Sequence, residues 1–179
     1  MKAELLSLLT AKTSNFELSS KNHDAITSED IAHYLGTKKL NSEEYDILMA
    51  KYCDNEYARE VLRDNIFIKA FDIFVKNKNI QKNVKKILIK NFTNLAIKEV
   101  IDTTCIFCNG KGKITDKNYI KMCVHCEGTG QFIYDDNNRP QISGIKSNVY
   151  NKYKKLYYEL LNYVKEVEIS ALSKIGDES

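Results

Sequence analysis

Apolar residues recur at three- and four-residue intervals along most of this chain, the spacing of helices that turn one face inward. A short apolar turn (Leu5, Leu6, Leu8, Leu9) and a Ser/Lys/Asn-rich run predict a frayed helix and linker over residues 1–24. Thr27-Ser28-Glu29-Asp30 has helix-start spacing and Gly36 supplies a stop, with Ile31, Tyr34 and Leu35 inward. Asn41-Ser42-Glu43-Glu44 opens a second helix whose Tyr45, Leu48, Met49 and Tyr52 belong to the core. Cys53 at its end reads as a structural thiol, because no histidine stands near it in sequence to activate it.

Glu56 to Lys76 reads as a longer helix. Tyr57, Val61, Ile66, Ile68, Phe71, Ile73, Phe74 and Val75 surround much of its circumference, which predicts a buried central helix. Asn77-Lys78-Asn79 breaks it. Helical spacing resumes from Ile80 to Ile101, through Val84, Ile87, Leu88, Ile89, Phe92, Leu95, Ala96 and Val100. Lys76, Lys78, Lys82, Lys85, Lys86 and Lys90 run with no acid between them, which fits either a phosphate-tracking face or a solvated one.

The helical pattern then stops at a repeated phrase. Cys105-Ile106-Phe107-Cys108-Asn109-Gly110-Lys111-Gly112 and Cys123-Val124-His125-Cys126-Glu127-Gly128-Thr129-Gly130 share the form Cys-x-x-Cys-x-Gly-x-Gly. Four thiolates suit a structural zinc ion with closed tetrahedral coordination, and glycine after each second cysteine permits the positive φ that turns backbone N–H groups toward sulfur. Cys105, Cys108, Cys123 and Cys126 are therefore the expected ligands of one Zn²⁺, and His125 an exposed loop residue. Between the phrases, β-like flanks around Asp116-Lys117-Asn118 predict a small hairpin.

After a turn-rich stretch, Asp135 to Pro140, comes Gln141-Ile142-Ser143-Gly144-Ile145-Lys146-Ser147-Asn148-Val149-Tyr150. Gly-Ile, a polar stretch opening a helix, and an apolar anchor five residues after the isoleucine have the form of a helix-turn-helix. Gly144 takes the turn, and Ile145 and Tyr150 the small core. The second helix is expected to run to about Val167 with Tyr150, Tyr153, Tyr157, Leu160, Leu161 and Val164 inward. Asn148, Asn151, Lys152 and Lys155 then fall on its outer side, where such a helix meets base edges and phosphates. Ser147, Arg139, Lys113 and Lys121 complete the expected DNA contacts. The division is an N-terminal segment (1–24), a helical body (25–103), a zinc finger (104–131), a helix-turn-helix with C-terminal helix (132–170) and a tail (171–179).

Composition agrees with a folded, mostly helical chain. Of 179 residues 43% are hydrophobic, and a single proline and seven glycines leave few breakers. No apolar run approaches the roughly 18 residues of a membrane span, and no basic-then-apolar leader precedes the first helix. Reduced Cys-x-x-Cys pairs and an odd fifth cysteine fit the cytoplasm. The net charge of +3 is unevenly spread: residues 1–75 hold 9 basic and 13 acidic side chains, residues 76–179 hold 18 and 11. The basic half points to nucleic acid. The acidic half is expected to meet a protein, with Glu43, Glu44 and Asp46 as its charged contacts. No paired carboxylates, nucleophile with base, or phosphate loop suggests an enzyme.

Over residues 30 to 168 the chain resembles the late-gene antitermination proteins of lambda-type phages, the Q family. The resemblance rests on the two cysteine phrases interrupting a helical body, on Asp30-Ile31-Ala32-His33-Tyr34-Leu35-Gly36, on the region ending at Cys53, and on Val149-Tyr150-Asn151-Lys152-Tyr153-Lys154-Lys155-Leu156-Tyr157-Tyr158-Glu159. It implies a factor of the bacterial cytoplasm that binds double-stranded DNA at a phage late promoter. It also implies engagement of paused bacterial RNA polymerase, with sigma factor, and suppression of pausing and termination. By that resemblance the four cysteines hold zinc, and Asn148, Asn151, Lys152 and Lys155 touch DNA. The cysteine phrases also occur in DnaJ-type chaperones, which bind unfolded protein. Against that alternative, this chain has two phrases rather than four, no His-Pro-Asp, and no Gly/Phe-rich linker.

Overall fold

The computed structural model describes residues 28–76, 82–105, 107–116 and 119–176. The apolar turn at Leu5 to Leu9, residue Thr27 of the first helix start, the break at Asn77 to Asn79 and the hairpin tip lie outside the described residues. Within them the chain is mostly α, with six helices and one two-stranded antiparallel hairpin. It divides into two units, one containing residues 102–133 and the other residues 35–101 and 134–179. No helix among the described residues is long and apolar enough to cross a membrane.

Helix α1 (Ser28–Gly36) carries Glu29 and Asp30 in its first turn, where acids complement the helix dipole, and buries Ile31 and Leu35. Helix α2 (Ser42–Tyr52) opens with a reciprocal cap: Asn41 Oδ1 accepts from the Glu44 N–H at 2.9 Å, and Glu44 Oε2 accepts from the Asn41 N–H at 2.8 Å. Helix α3 (Glu56–Val75) is capped by Asn55, whose side chain accepts from the Ala58 N–H. Helix α4 (Lys82–Ile101) and helix α6 (Ser147–Gly176) complete the body's core, with the short α5 (Arg139–Ser143) between them in sequence. At the centre Phe92 packs its ring against Phe74, Tyr150 and Tyr157 at centroid separations of 5.4, 6.0 and 5.5 Å, which joins α3, α4 and α6 through one aromatic cluster.

Three expectations require correction. Helix α3 is not buried all round. Its core face is Ala58, Leu62, Ile66, Ala70, Ile73 and Phe74, while Tyr57, Ile68, Phe71 and Val75 are exposed. Apolar residues lie on both sides of this helix, so composition alone could not say which side faces inward.

The C-terminal helix passes Val167 and continues through residues assigned to a tail, ending at Gly176. Val167, Ala171 and Ile175 extend its buried face. Its last turns are also tied to α2: Glu44 accepts from Ser170 Oγ and from Lys174 Nζ, all at 2.7 Å. That pairing removes Glu44 from the expected protein contacts. It is buried, as is Asp46, and Glu43 accepts from the Tyr163 hydroxyl at 2.6 Å. Glu43 and Glu44 hold α6 to α2. Burial alone would raise the Glu44 carboxyl, but Lys174, Ser170 and the Asn41 N–H together hold it below the usual glutamate value.

Candidate metal centre and turn-helix face

The two cysteine phrases fold into two knuckles with the same bonds eighteen residues apart. The Gly110 N–H donates to the Cys105 carbonyl at 3.1 Å, and the Gly128 N–H to the Cys123 carbonyl at 3.2 Å. Lys111 and Thr129 donate in the same way to the carbonyls of Cys108 and Cys126, at 3.0 and 2.9 Å. Each knuckle is closed by the other: Cys105 N–H donates to Gly130 O and Cys123 N–H to Gly112 O, both at 2.8 Å.

This crossing explains the glycines. At Gly112 a Cβ would stand 2.2 Å from the Gly128 carbonyl oxygen, and at Gly130 2.2 Å from that of Gly110, and both have positive φ. Asn109 and Glu127 also take positive φ at matching positions. The strands β1 (Lys113–Asp116) and β2 (Tyr119–Met122) pair with Lys113 opposite Met122 and Thr115 opposite Ile120. Ile114 covers the cysteines.

All four Sγ atoms lie within 4.8 Å of one another and all four cysteines are buried. Cys105 and Cys123 are 3.9 Å apart at sulfur, Cys108 and Cys126 3.7 Å. A disulfide would bring two sulfurs to about 2 Å. A tetrahedral zinc–sulfur site, with bonds of about 2.3 Å, has edges of about 3.8 Å. The donor set therefore fits a tetrathiolate metal site, the geometry and softness that suit zinc or iron.

Backbone N–H groups point at the sulfurs as well. Gly112 donates to Cys108 Sγ and Gly130 to Cys126 Sγ, each at 3.3 Å. Burial opposes ionisation and pushes the Cys108 thiol up to about 11, against the Gly112 N–H. At Cys126 the Gly130 N–H and the neighbouring thiols outweigh burial and draw the thiol down to about 7. An N–H aimed at sulfur favours the thiolate, the form that binds metal. An ion held by all four thiolates would have no open position for substrate.

His125 is exposed and its ring stacks on Phe107, centroids 3.6 Å apart and planes 14° from parallel. The two occupy the same place in their respective phrases. The repeat signals this pair, which residue-by-residue reading of His125 overlooks.

In the other unit, α5 ends at Gly144, whose φ of 67° makes the turn; the Ile145 N–H donates back to the Pro140 carbonyl at 3.1 Å. Ile145 and Tyr150 are buried beneath it. Tyr153, Tyr157, Leu160, Leu161 and Val164 continue the inward face, as the pattern predicts. Ser147, Asn148, Asn151, Lys152 and Lys155 are all exposed. Lys113 and Lys121 are exposed on the hairpin.

No protein-family model and no curated protein matches this chain.

Arg139 departs from the expected DNA contacts. It is 7% exposed, its Nε and Nη2 donate to the two carboxylate oxygens of Glu99, and its Nη1 donates to Asp136 and to the Tyr158 hydroxyl. Four of the five guanidinium donors are engaged in this way, and a buried guanidinium already paired with carboxylates is not presented to phosphate. Asp136 also accepts from the hydroxyls of Tyr158 and Tyr150, which hold its carboxyl below the usual aspartate value, and Tyr157 donates to Glu99 at 2.7 Å. The network links α4, the 135–138 turn, α5 and α6, and so fixes the turn before the exposed first turns of α6. Glu99, 40 residues upstream of its partner, carries no local sequence signal of this role.

Proposed function

We propose that this chain is a zinc-stabilised, DNA-binding regulator of transcription, a phage antitermination factor that binds a late promoter and engages bacterial RNA polymerase to suppress pausing and termination. The observation that carries the reading is the start of α6. Asn148, Asn151, Lys152 and Lys155 recur at helical intervals of three and four on an exposed arc, while Tyr150, Tyr153 and Tyr157 fix the opposite arc in the core. A helix presented in this way fits the major groove, with asparagine able to pair with adenine edges and lysine with phosphate or guanine. Ser147 at its N-terminus adds a hydroxyl where the helix dipole favours phosphate. Lys113 and Lys121 supply further phosphate contacts from the zinc unit. The tetrathiolate site holds that unit together and performs no chemistry.

Run-off transcription through a terminator placed downstream of the phage's own late promoter tests this function directly. Added protein raises read-through from that promoter and not from one lacking the DNA element. Equal read-through from both, or none, overturns it.

A second reading, a zinc module that holds unfolded protein, is favoured by the exposed Tyr119, Ile120 and Met122 along one strand. Suppression of aggregation of a denatured client, undiminished by loss of Lys152 and Lys155, selects that reading instead.

A further inference from the structure

The outward side of α3 is unusual for a helix already supplied with a core face. Tyr57 (77% exposed), Ile68 (64%), Phe71 (44%) and Val75 (41%) stand at intervals of three, four and eleven residues and form one stripe opposite Leu62 and Ile66. Aromatic and β-branched residues gain nothing on a solvated helix, where alanine, glutamate or lysine is preferred. Phe71 is braced by the Phe67 ring, centroids 6.5 Å apart.

The same arc carries Glu60, Asp64 and Asp72, all exposed, and none of the three is in an ion pair among the described residues. In a chain with 27 lysines and arginines that is notable. Two of the three cations of α3 are directed elsewhere: Arg59 pairs with Glu56, and Lys69 lies over the Tyr163 ring at 4.8 Å.

We propose that this face of α3 is a docking surface for a basic amphipathic helix of a partner protein. An apolar stripe edged by unpaired carboxylates complements a helix whose leucine-type face is edged by lysine or arginine. Nucleic acid is disfavoured, because the carboxylates repel phosphate. A second copy docked through the same face is disfavoured too, because a two-fold contact sets Asp64 and Asp72 against their own equivalents. The inference needs no part of the DNA reading and concerns a different surface.

The test uses the full-length, zinc-loaded chain and a fluorescent synthetic helix with leucines at three- and four-residue spacing and lysines elsewhere. Anisotropy shows binding that weakens with salt, and replacing the peptide's lysines by glutamate abolishes it. Ile68→Ser with Phe71→Ser lowers affinity roughly tenfold or more. Asp64→Lys with Asp72→Lys, which leaves the apolar stripe intact, lowers it as well, while Lys152→Ala has no effect. Absence of binding, equal binding of the glutamate peptide, or affinity unchanged in both double variants overturns the proposal. So does sedimentation showing a dimer of the unmodified chain that Phe71→Ser dissociates, since the face would then belong to a second copy.

Discussion

Arg139 grips Glu99 through two parallel hydrogen bonds, Nη2 to Oε1 at 2.8 Å and Nε to Oε2 at 2.9 Å, and both side chains are 8% exposed. Planar, two-point pairing of this kind is specific to arginine. Removing one partner leaves the other charge buried without compensation. Arg139→Ala is therefore expected to destabilise the body by about 3–5 kcal/mol. Arg139→Lys, which keeps the charge and loses the fork, should cost less. Urea unfolding followed by circular dichroism measures both, and zinc content should be unchanged in either variant.

What could be read from the sequence was what is local. The cysteine spacing gave the metal ligands because each knuckle is built within eight residues, and Gly144 marked its turn because only one backbone conformation is at stake. The inward tyrosines of α6 were legible for the same reason, as their period is uninterrupted. The role of Arg139 was not, since its chief partner lies on another helix and a lone arginine in a turn looks solvated. Glu44 was half legible: its place in the helix start was evident, its bond to Lys174 130 residues away was not. The orientation of α3 failed because its second apolar stripe competes with the first.

Metal removal should act on one unit. Purified protein is expected to hold one zinc per chain by elemental analysis, and a strong chelator should release it. Because no residue of 102–133 belongs to the aromatic cluster around Phe92, most of the helical signal should survive that release. Gly112→Ala is a sharper probe, since its Cβ meets the Gly128 carbonyl oxygen at 2.2 Å. It should weaken zinc retention while every ligand remains in place.

Acid should weaken the body through Asp136 and Glu44. Hydrogen bonds from Tyr158 and then Tyr150 lower the Asp136 carboxyl, and the Glu44 carboxyl, despite its burial, is lowered by Lys174 and Ser170. A carboxyl depressed in the folded state contributes stability that is present above its unfolded value, about 3.9 for aspartate and 4.3 for glutamate, and is lost as pH falls through the lower folded value. The urea midpoint should therefore drop between about pH 5 and pH 2, and Asp136→Asn should flatten part of that drop.

If the first turns of α6 meet a duplex, Lys152→Ala and Lys155→Ala should each weaken promoter binding and reduce the salt dependence by about one unit of slope. Both residues are exposed, so thermal stability should hold. Filter binding across a salt series reads the slopes; wild-type slopes in both variants would remove these lysines from the interface.

Thirty residues at about 1.5 Å each make α6 a rod of about 45 Å. One end is seated under the Gly144 turn, and the other is clasped by the Glu44 carboxylate through Ser170 and Lys174. A strut pinned at both extremities cannot swivel at its leading tip unless the far clasp opens. Any load placed on Asn148 is thus borne by α2 as well, and the stiffness felt there is that of the whole bundle.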